Sequence, residues 1–82
     1  MQSPGRQKRP PLIDYRSVFG ERLRELREAA GISQEDLAHQ IEMSRRYLSG
    51  IERGKANPTL DQIARLADGL GVQPSDLMPP AD

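Results

Sequence analysis

The apolar residues of this chain recur with the period of an α-helix, and the first such stripe runs through residues 19–30. Its members follow one another at steps of four, three and four residues, which places them on one helix face. They are Phe19, Leu23, Leu26 and Ala30. Gly31 comes next, and glycine suits the left-handed backbone that often ends a helix. The pattern predicts a first helix that begins between Asp14 and Ser17 and ends at Ala30.

Two short helices with the same kind of start are predicted next. Ser33 and Ser44 can each cap a helix N-terminus with the hydroxyl oxygen, and an apolar residue precedes each of them, as in a hydrophobic staple. The predicted helices cover about residues 34–41 and 44–53. Only a tight turn around Glu42 separates them.

A fourth helix with a broad apolar face follows the turn signal Asn57-Pro58, and residues 59–62 fit a capping box at its start. That face consists of Leu60, Ile63, Ala64, Leu66, Ala67 and Leu70. Gly71 ends the helix, and Pro74 fits the first position of a final short helix that ends near Met78. Five helices without a strand predict an all-α fold.

The two ends of the chain lack a helical period. Residues 1–13 are proline-rich and basic, which predicts a flexible arm. The basic cluster of this arm consists of Arg6, Lys8 and Arg9. The arm is either a plain disordered terminus or a contact to nucleic acid, and the sequence leaves both open. We therefore divide the chain into this arm, one domain at 14–78 and a short tail at 79–82.

Composition narrows the functional classes. The 82 residues contain no cysteine and a single histidine, His39, so we expect neither a metal site nor the catalytic cluster of an enzyme. No apolar run reaches the ~20 residues that span a bilayer, and the N-terminus lacks the apolar core of a signal peptide. These features predict a soluble, cytoplasmic protein without a cofactor or a membrane contact.

Charge is distributed unevenly along the chain, although the formal net charge is zero. Residues 1–16 hold four cationic side chains and one carboxylate, a net charge of +3, which leaves −3 for residues 17–82. Affinity for a polyanion depends on where the cations lie rather than on their sum. The neutral total therefore does not exclude nucleic-acid binding.

The third predicted helix carries the strongest functional pattern. At 100° per residue, three arginines and a serine fall within an arc of about 100°, and Leu48 and Ile51 fall on the opposite side. The polar set is Arg45, Arg46, Ser49 and Arg53. Arginine can grip guanine O6 and N7 in a major groove with two parallel hydrogen bonds. A solvated face of a structural helix has the same periodicity, so the pattern leaves both interpretations open.

Many further residues stand at the spacings of a known family. The matching segments are Leu23-Arg24-Glu25-Leu26-Arg27 with Gly31, Ser33-Gln34-Glu35-Asp36-Leu37-Ala38, Met43-Ser44, Leu48-Ser49-Gly50-Ile51-Glu52-Arg53-Gly54-Lys55, Asn57-Pro58-Thr59-Leu60, Leu66-Ala67 and Leu70-Gly71-Val72. Through them residues 20–78 resemble the Cro/repressor-type (lambda-repressor-like, XRE) helix-turn-helix family. Residues 46–53 are also similar to the controller proteins of restriction-modification systems. The resemblance implies a five-helix DNA-binding domain of bacterial or phage type, with residues 44–53 as the recognition helix.

The resemblance also implies roles for individual residues. Bases would be read by Arg45, Arg46, Ser49 and Arg53, the last of which could hold a phosphate instead. The phosphate backbone would be contacted by Gln34, Ser44, Tyr47, Lys55 and Asn57. Gln34 would in addition brace the recognition helix, and Tyr47 could instead seal the edge of the core.

Two other positions concern the framework of the fold. Arg27 and Glu52 resemble a family ion pair between the first and third helices, which would fix orientation more than it stabilises. Glu42 departs from the family, which has glycine at this turn position because a left-handed backbone is expected there. Glutamate in that conformation costs on the order of 1 kcal/mol, so the geometry of the turn is open.

Domains of this size usually gain DNA affinity by dimerising over two half-sites. Apolar residues near the fourth helix either form the dimer interface or fill the monomer core, and these are Leu70, Val72, Leu77 and Met78. The sequence therefore predicts a homodimeric transcriptional regulator that binds a pseudo-palindromic operator in double-stranded DNA. An antitoxin-like module that masks a partner protein is the competing hypothesis. We favour the regulator because only four residues follow Met78, too few for a toxin-wrapping tail.

Overall fold

A computed structural model describes residues 13–78, and in this range it contains four α-helices and one 3-10 turn. The helices are α1 (Tyr15–Ala29), α2 (Gln34–Gln40), α3 (Arg45–Glu52) and α4 (Leu60–Leu70), and the 3-10 turn is Pro74–Leu77. No helix in the described range is long and apolar enough to cross a membrane. The predicted arm lies mostly at residues 1–12 and the tail at 79–82, outside the described residues.

Each α-helix begins at a side-chain cap, because an oxygen of the residue before the helix accepts a free backbone N–H of the first turn. The caps are Asp14, Ser33, Ser44 and Thr59, with acceptor distances of 3.3, 3.0, 3.0 and 3.1 Å. Thr59 and Gln62 close a reciprocal capping box. Hydrogen bonds from Ser17 lower the pKa of the Asp14 carboxyl, so this cap is charged at neutral pH.

The prediction of a fifth α-helix is wrong, because the chain makes only the four-residue 3-10 turn there. The amides of Asp76 and Met78 bond to carbonyls three residues earlier. Met78 has ψ 155° and precedes Pro79, and the helical region is disfavoured for a residue before proline because of the clash with the pyrrolidine ring. The helix therefore ends before this residue.

The core lies where the four helices and the 3-10 turn meet. Its fully buried side chains are Leu23, Leu37, Leu48, Ile51, Leu66 and Leu77. Leu77 is 0% exposed, so it belongs to the core of one chain and cannot form the predicted dimer surface. Leu60 was predicted on the apolar face of α4 but is 84% exposed. It is the first residue of α4, and the core does not cover this end of the helix.

Gly20 lets α1 approach the end of α3 closely. A Cβ atom at this position would lie 2.4 Å from the carbonyl oxygen of Ile51 and 2.6 Å from that of Glu52. Real side chains do not tolerate such distances, so only glycine permits this approach. The apolar period of α1 gives no signal for this contact.

The turn between α2 and α3 has the left-handed backbone that the resemblance implies, although Glu42 rather than glycine occupies it, with φ 58°. The amides of Glu42 and Met43 close the turn on the carbonyls of His39 and Ala38 at 3.2 and 2.8 Å. The turn, whose geometry the sequence left open, is therefore left-handed. The Cβ atom of Glu42 makes this conformation energetically costly.

We expect Glu42→Gly to raise the free energy of unfolding by about 1 kcal/mol, because it relieves the left-handed strain of a residue with a Cβ atom. Urea unfolding followed by circular dichroism measures the change. Glu42→Ala is the control, since it also removes the exposed Glu42–Arg65 contact of 4.0 Å but keeps the Cβ atom. An equal rise in both variants would assign the gain to the lost side chain rather than to the backbone.

Candidate nucleic-acid interface

The candidate interface is the exposed face of α3, which the turn at Glu42 joins to α2. Leu37 and Ala38 of α2 pack with Leu48 and Ile51 of α3 in the core. Two helices joined by so short a turn cross each other, and the outer face of the second one is left open. The apolar side of α3 is thus committed to the core and its polar side to solvent.

The four predicted base-reading residues lie together on this outer face. Arg45, Arg46 and Arg53 are exposed, Ser49 is half-buried, and the four line one shallow concavity. Among residues 13–78, no carboxylate forms an ion pair with any of these arginines. Arg53 makes one long bond, from Nε to the carbonyl oxygen of Ser49 at 3.4 Å. The concavity therefore offers guanidinium donors and a hydroxyl group to a polar or anionic ligand.

A buried ion pair connects α3 to α1. Arg27 Nε lies 2.6 Å from Glu52 Oε2 and Arg27 Nη2 lies 3.1 Å from Oε1, while Nη1 donates to the carbonyl oxygen of Ile32 at 2.8 Å. The two residues are 9% and 8% exposed. Hydrogen bonding to the Glu52 carboxylate raises the pKa of Arg27, although burial acts in the opposite direction. These are the two residues that the resemblance assigned to an ion pair.

Gln34 adds a third contact to the same carboxylate. Its Nε2 donates to Glu52 Oε1 at 2.9 Å, and the side chain is half-buried at the start of α2. One amide hydrogen is thus used inside the protein, as a bracing role requires. The second hydrogen has no partner among residues 13–78 and can serve the phosphate contact that the resemblance implies.

Ser44 and Tyr47 lie at the start of α3, and the resemblance assigned a phosphate contact to each of them. Ser44 Oγ accepts the backbone N–H of Tyr47 at 3.0 Å, which leaves the Ser44 hydroxyl hydrogen free to donate. The Tyr47 hydroxyl donates to Gln62 Oε1 at 3.0 Å, and the ring packs at the edge of the core. The only hydrogen that Tyr47 could give to a phosphate is therefore engaged by α4.

Lys55 and Asn57, the remaining predicted phosphate contacts, are exposed on the loop after α3. The loop is held at its start, where the Lys55 amide donates to the Gly50 carbonyl oxygen at 2.8 Å. Asn57 also lines an apolar groove with Arg16 on the first turn of α1. The described chain therefore begins next to this loop.

The predicted dimer surface is only partly available. Leu70 and Val72 are half-buried against the core, Met78 is 42% exposed, and Leu77 is buried.

Within residues 13–78, no group of three or more His, Cys, Asp or Glu side chains lies close enough together to hold a metal ion.

Comparison with known proteins identifies the arrangement. A family model described as a helix-turn-helix domain matches residues 18–79. The control protein C.BamHI of Bacillus amyloliquefaciens is 44% identical over 66 residues, which cover 79% of this chain and 82% of that protein.

Two solved structures share the fold at similar coverage. The restriction-modification controller protein C.AhdI from Aeromonas hydrophila superposes with a TM-score of 0.73 and 48% identity, over 74% of this chain and 92% of that one. The hypothetical transcription factor NHTF from Neisseria gives a TM-score of 0.77 and 36% identity, over 87% of this chain and 86% of that one.

We expect Glu52→Gln to lower the free energy of unfolding by about 3–5 kcal/mol, because Arg27 then stays buried without its charge partner. Urea unfolding measures the loss. Glu28→Gln is the matched control, since it breaks the exposed Arg24–Glu28 pair of 3.2 Å and should cost less than about 1 kcal/mol. Equal losses in the two variants would contradict the central role of Glu52.

Proposed function

The chain belongs to the helix-turn-helix domain family, and on this basis we propose that it is a DNA-binding transcriptional regulator that places α3 in the major groove. One observation carries the proposal. The polar face of α3 presents Arg45, Arg46, Ser49 and Arg53 to solvent, while its opposite face and its C-terminal end are fixed in the core.

The chemistry of this face suits base edges. A guanidinium can donate two parallel hydrogen bonds to O6 and N7 of a guanine, and a hydroxyl group can both donate and accept. Arg45 and Arg46 are the first two residues of α3, the part of a recognition helix that meets the bases. Arg53 lies one residue past the helix and reads a base or holds a phosphate.

The phosphate backbone is held by groups on either side of α3. These are the Ser44 hydroxyl, the second amide hydrogen of Gln34, and the exposed side chains of Lys55 and Asn57. Such contacts fix the protein on the duplex and carry no sequence information. The basic arm with Arg6, Lys8 and Arg9 would extend them, since the described chain begins beside the Asn57 loop.

The regulator acts as a homodimer on a pseudo-palindromic operator, because one short helix reads too few bases for a specific site. Leu70, Val72 and Met78 form the interface in this proposal. Relatives of nearly the same length are named as controllers of restriction-modification systems, which favours the same role for this chain.

Base reading and phosphate holding differ in their effects on binding. We expect Arg45→Ala or Arg46→Ala to lose roughly 1–3 kcal/mol of binding free energy on a duplex from immediately upstream of the gene, and little on a scrambled duplex. Lys55→Ala should weaken binding to both duplexes equally. It should also reduce the slope of log K against log salt concentration by about one. Salt titrations of each variant on both duplexes measure the contrast.

All three variants should melt like the parent, since these side chains are exposed. If Arg45→Ala and Arg46→Ala both behave as Lys55→Ala is expected to, α3 does not read sequence and the proposed function fails.

Dimerisation is tested at the exposed end of the proposed interface. Met78→Asp should lower self-association in sedimentation and weaken binding to the upstream duplex, because a charge is costly at an apolar contact. Leu60→Asp is the control, since it charges an apolar residue that is more exposed but lies outside the interface. A monomeric parent that binds one half-site tightly would refute the dimer.

A further inference from the structure

Gln62 joins the recognition helix to α4 through a single amide oxygen. Oε1 of Gln62 accepts the backbone N–H of Thr59 at 2.8 Å and the hydroxyl of Tyr47 at 3.0 Å. A backbone N–H can only donate, so the side-chain atom that faces Thr59 must be the oxygen. The orientation of the whole amide group is fixed by this one contact.

The orientation leaves the other end of the amide open. Nε2 of Gln62 donates to no acceptor among residues 13–78, and no buried side-chain nitrogen or oxygen in that range lacks a partner. Within the described part of the chain, Nε2 is therefore in contact with solvent, and neither of its hydrogens is used by residues 13–78. The same geometry uses the only hydrogen of the Tyr47 hydroxyl, to which the family resemblance assigned a phosphate contact.

Gln62 is connected to two segments that carry proposed phosphate contacts. Tyr47 lies on the first turn of α3, three residues after Ser44, and Gln62 is the third residue of α4, which follows the loop of Lys55 and Asn57. The Tyr47–Gln62 bond therefore connects the start of α3, next to Ser44, with the start of α4, next to the loop of Lys55 and Asn57. The one acidic neighbour of Gln62 in the chain, Asp61, projects about 100° away around α4.

We propose that Gln62 donates a hydrogen bond from Nε2 to a DNA phosphate, and that Tyr47 is the positioning residue that holds the Gln62 oxygen. The assignment rests on the proposed function, since it needs DNA on the face of α3. A neutral donor releases no counterion, so this contact adds affinity for any sequence without changing the salt slope.

Gln62→Glu separates the two roles of the side chain. Glutamate keeps an oxygen for Thr59 and Tyr47, and it suits the third position of a capping box, so the melting temperature should not fall. It replaces Nε2 by an anionic oxygen that repels a phosphate, so affinity should fall by roughly tenfold or more on the upstream and scrambled duplexes alike. Gln40→Glu adds the same charge at an exposed position on α2 and serves as the control.

A double-mutant cycle tests the role of Tyr47. Gln62→Ala should weaken binding about threefold to tenfold, the effect of one lost hydrogen bond. Tyr47→Phe should weaken binding less, and it should have no further effect in the Gln62→Ala background, because Tyr47 acts only through Gln62.

Two results would overturn the inference. If Gln62→Glu binds like Gln40→Glu, the amide nitrogen does not face a phosphate. If Tyr47→Phe costs the same with and without Gln62, the tyrosine contacts DNA itself. Arg45→Ala measured alongside separates this failure from failure of the proposed function, since its loss on the upstream duplex does not depend on Gln62.

Discussion

The Glu52 carboxylate receives three hydrogen bonds from two other helices, and the orientation of α3 depends on them. Arg27 supplies two bonds from α1 and Gln34 supplies one from α2. Burying such a pair costs much of the attraction it gains, so its net stabilisation is small even though breaking it is costly. We infer that its main effect is directional, because three hydrogen bonds to one carboxylate restrict where the end of α3 can lie.

That placement requires α1 and α3 to lie closer than side chains normally allow. Gly20 provides the space, since any Cβ atom there would overlap the carbonyl groups of Ile51 and Glu52. Gly54, just past α3, is a second glycine at a close approach between α1 and the end of α3. It has φ 72° and packs against Ser17. The end of α3 is therefore held by close backbone packing as well as by the ion pair.

The sequence predicted those parts of the fold that depend on neighbouring residues. Caps at Ser33, Ser44 and Thr59 act over three residues, so a local pattern is sufficient to find them. The burial of Leu77 and the exposure of Leu60 depend on where distant elements end, which helical periodicity does not contain. The sequence predicted a helix at Pro74–Leu77 but did not distinguish a 3-10 turn from an α-helix, because proline at the first position is typical of an α-helix as well.

The same distinction applies to the candidate site. The basic arc of α3 followed from helical geometry alone, and the pairing of Arg27 with Glu52 followed from the family resemblance. The bond from Tyr47 to Gln62 spans 15 residues and joins two helices, so no spacing rule predicts it. Sequence analysis left Tyr47 either as a phosphate contact or at the edge of the core, and at such an edge packing decides whether a hydroxyl group faces solvent or protein.

These contacts explain how an eight-residue helix can present a defined surface. A helix this short is not stable in water by itself, so its position must come from its neighbours. Leu48 and Ile51 bind it to the core, Glu52 fixes its C-terminal end, and Tyr47 connects its first turn to α4. None of these groups belongs to the exposed arc of arginines and serine. The residues that hold α3 are therefore separate from those that would read DNA, so the reading residues can vary in sequence while the framework stays unchanged.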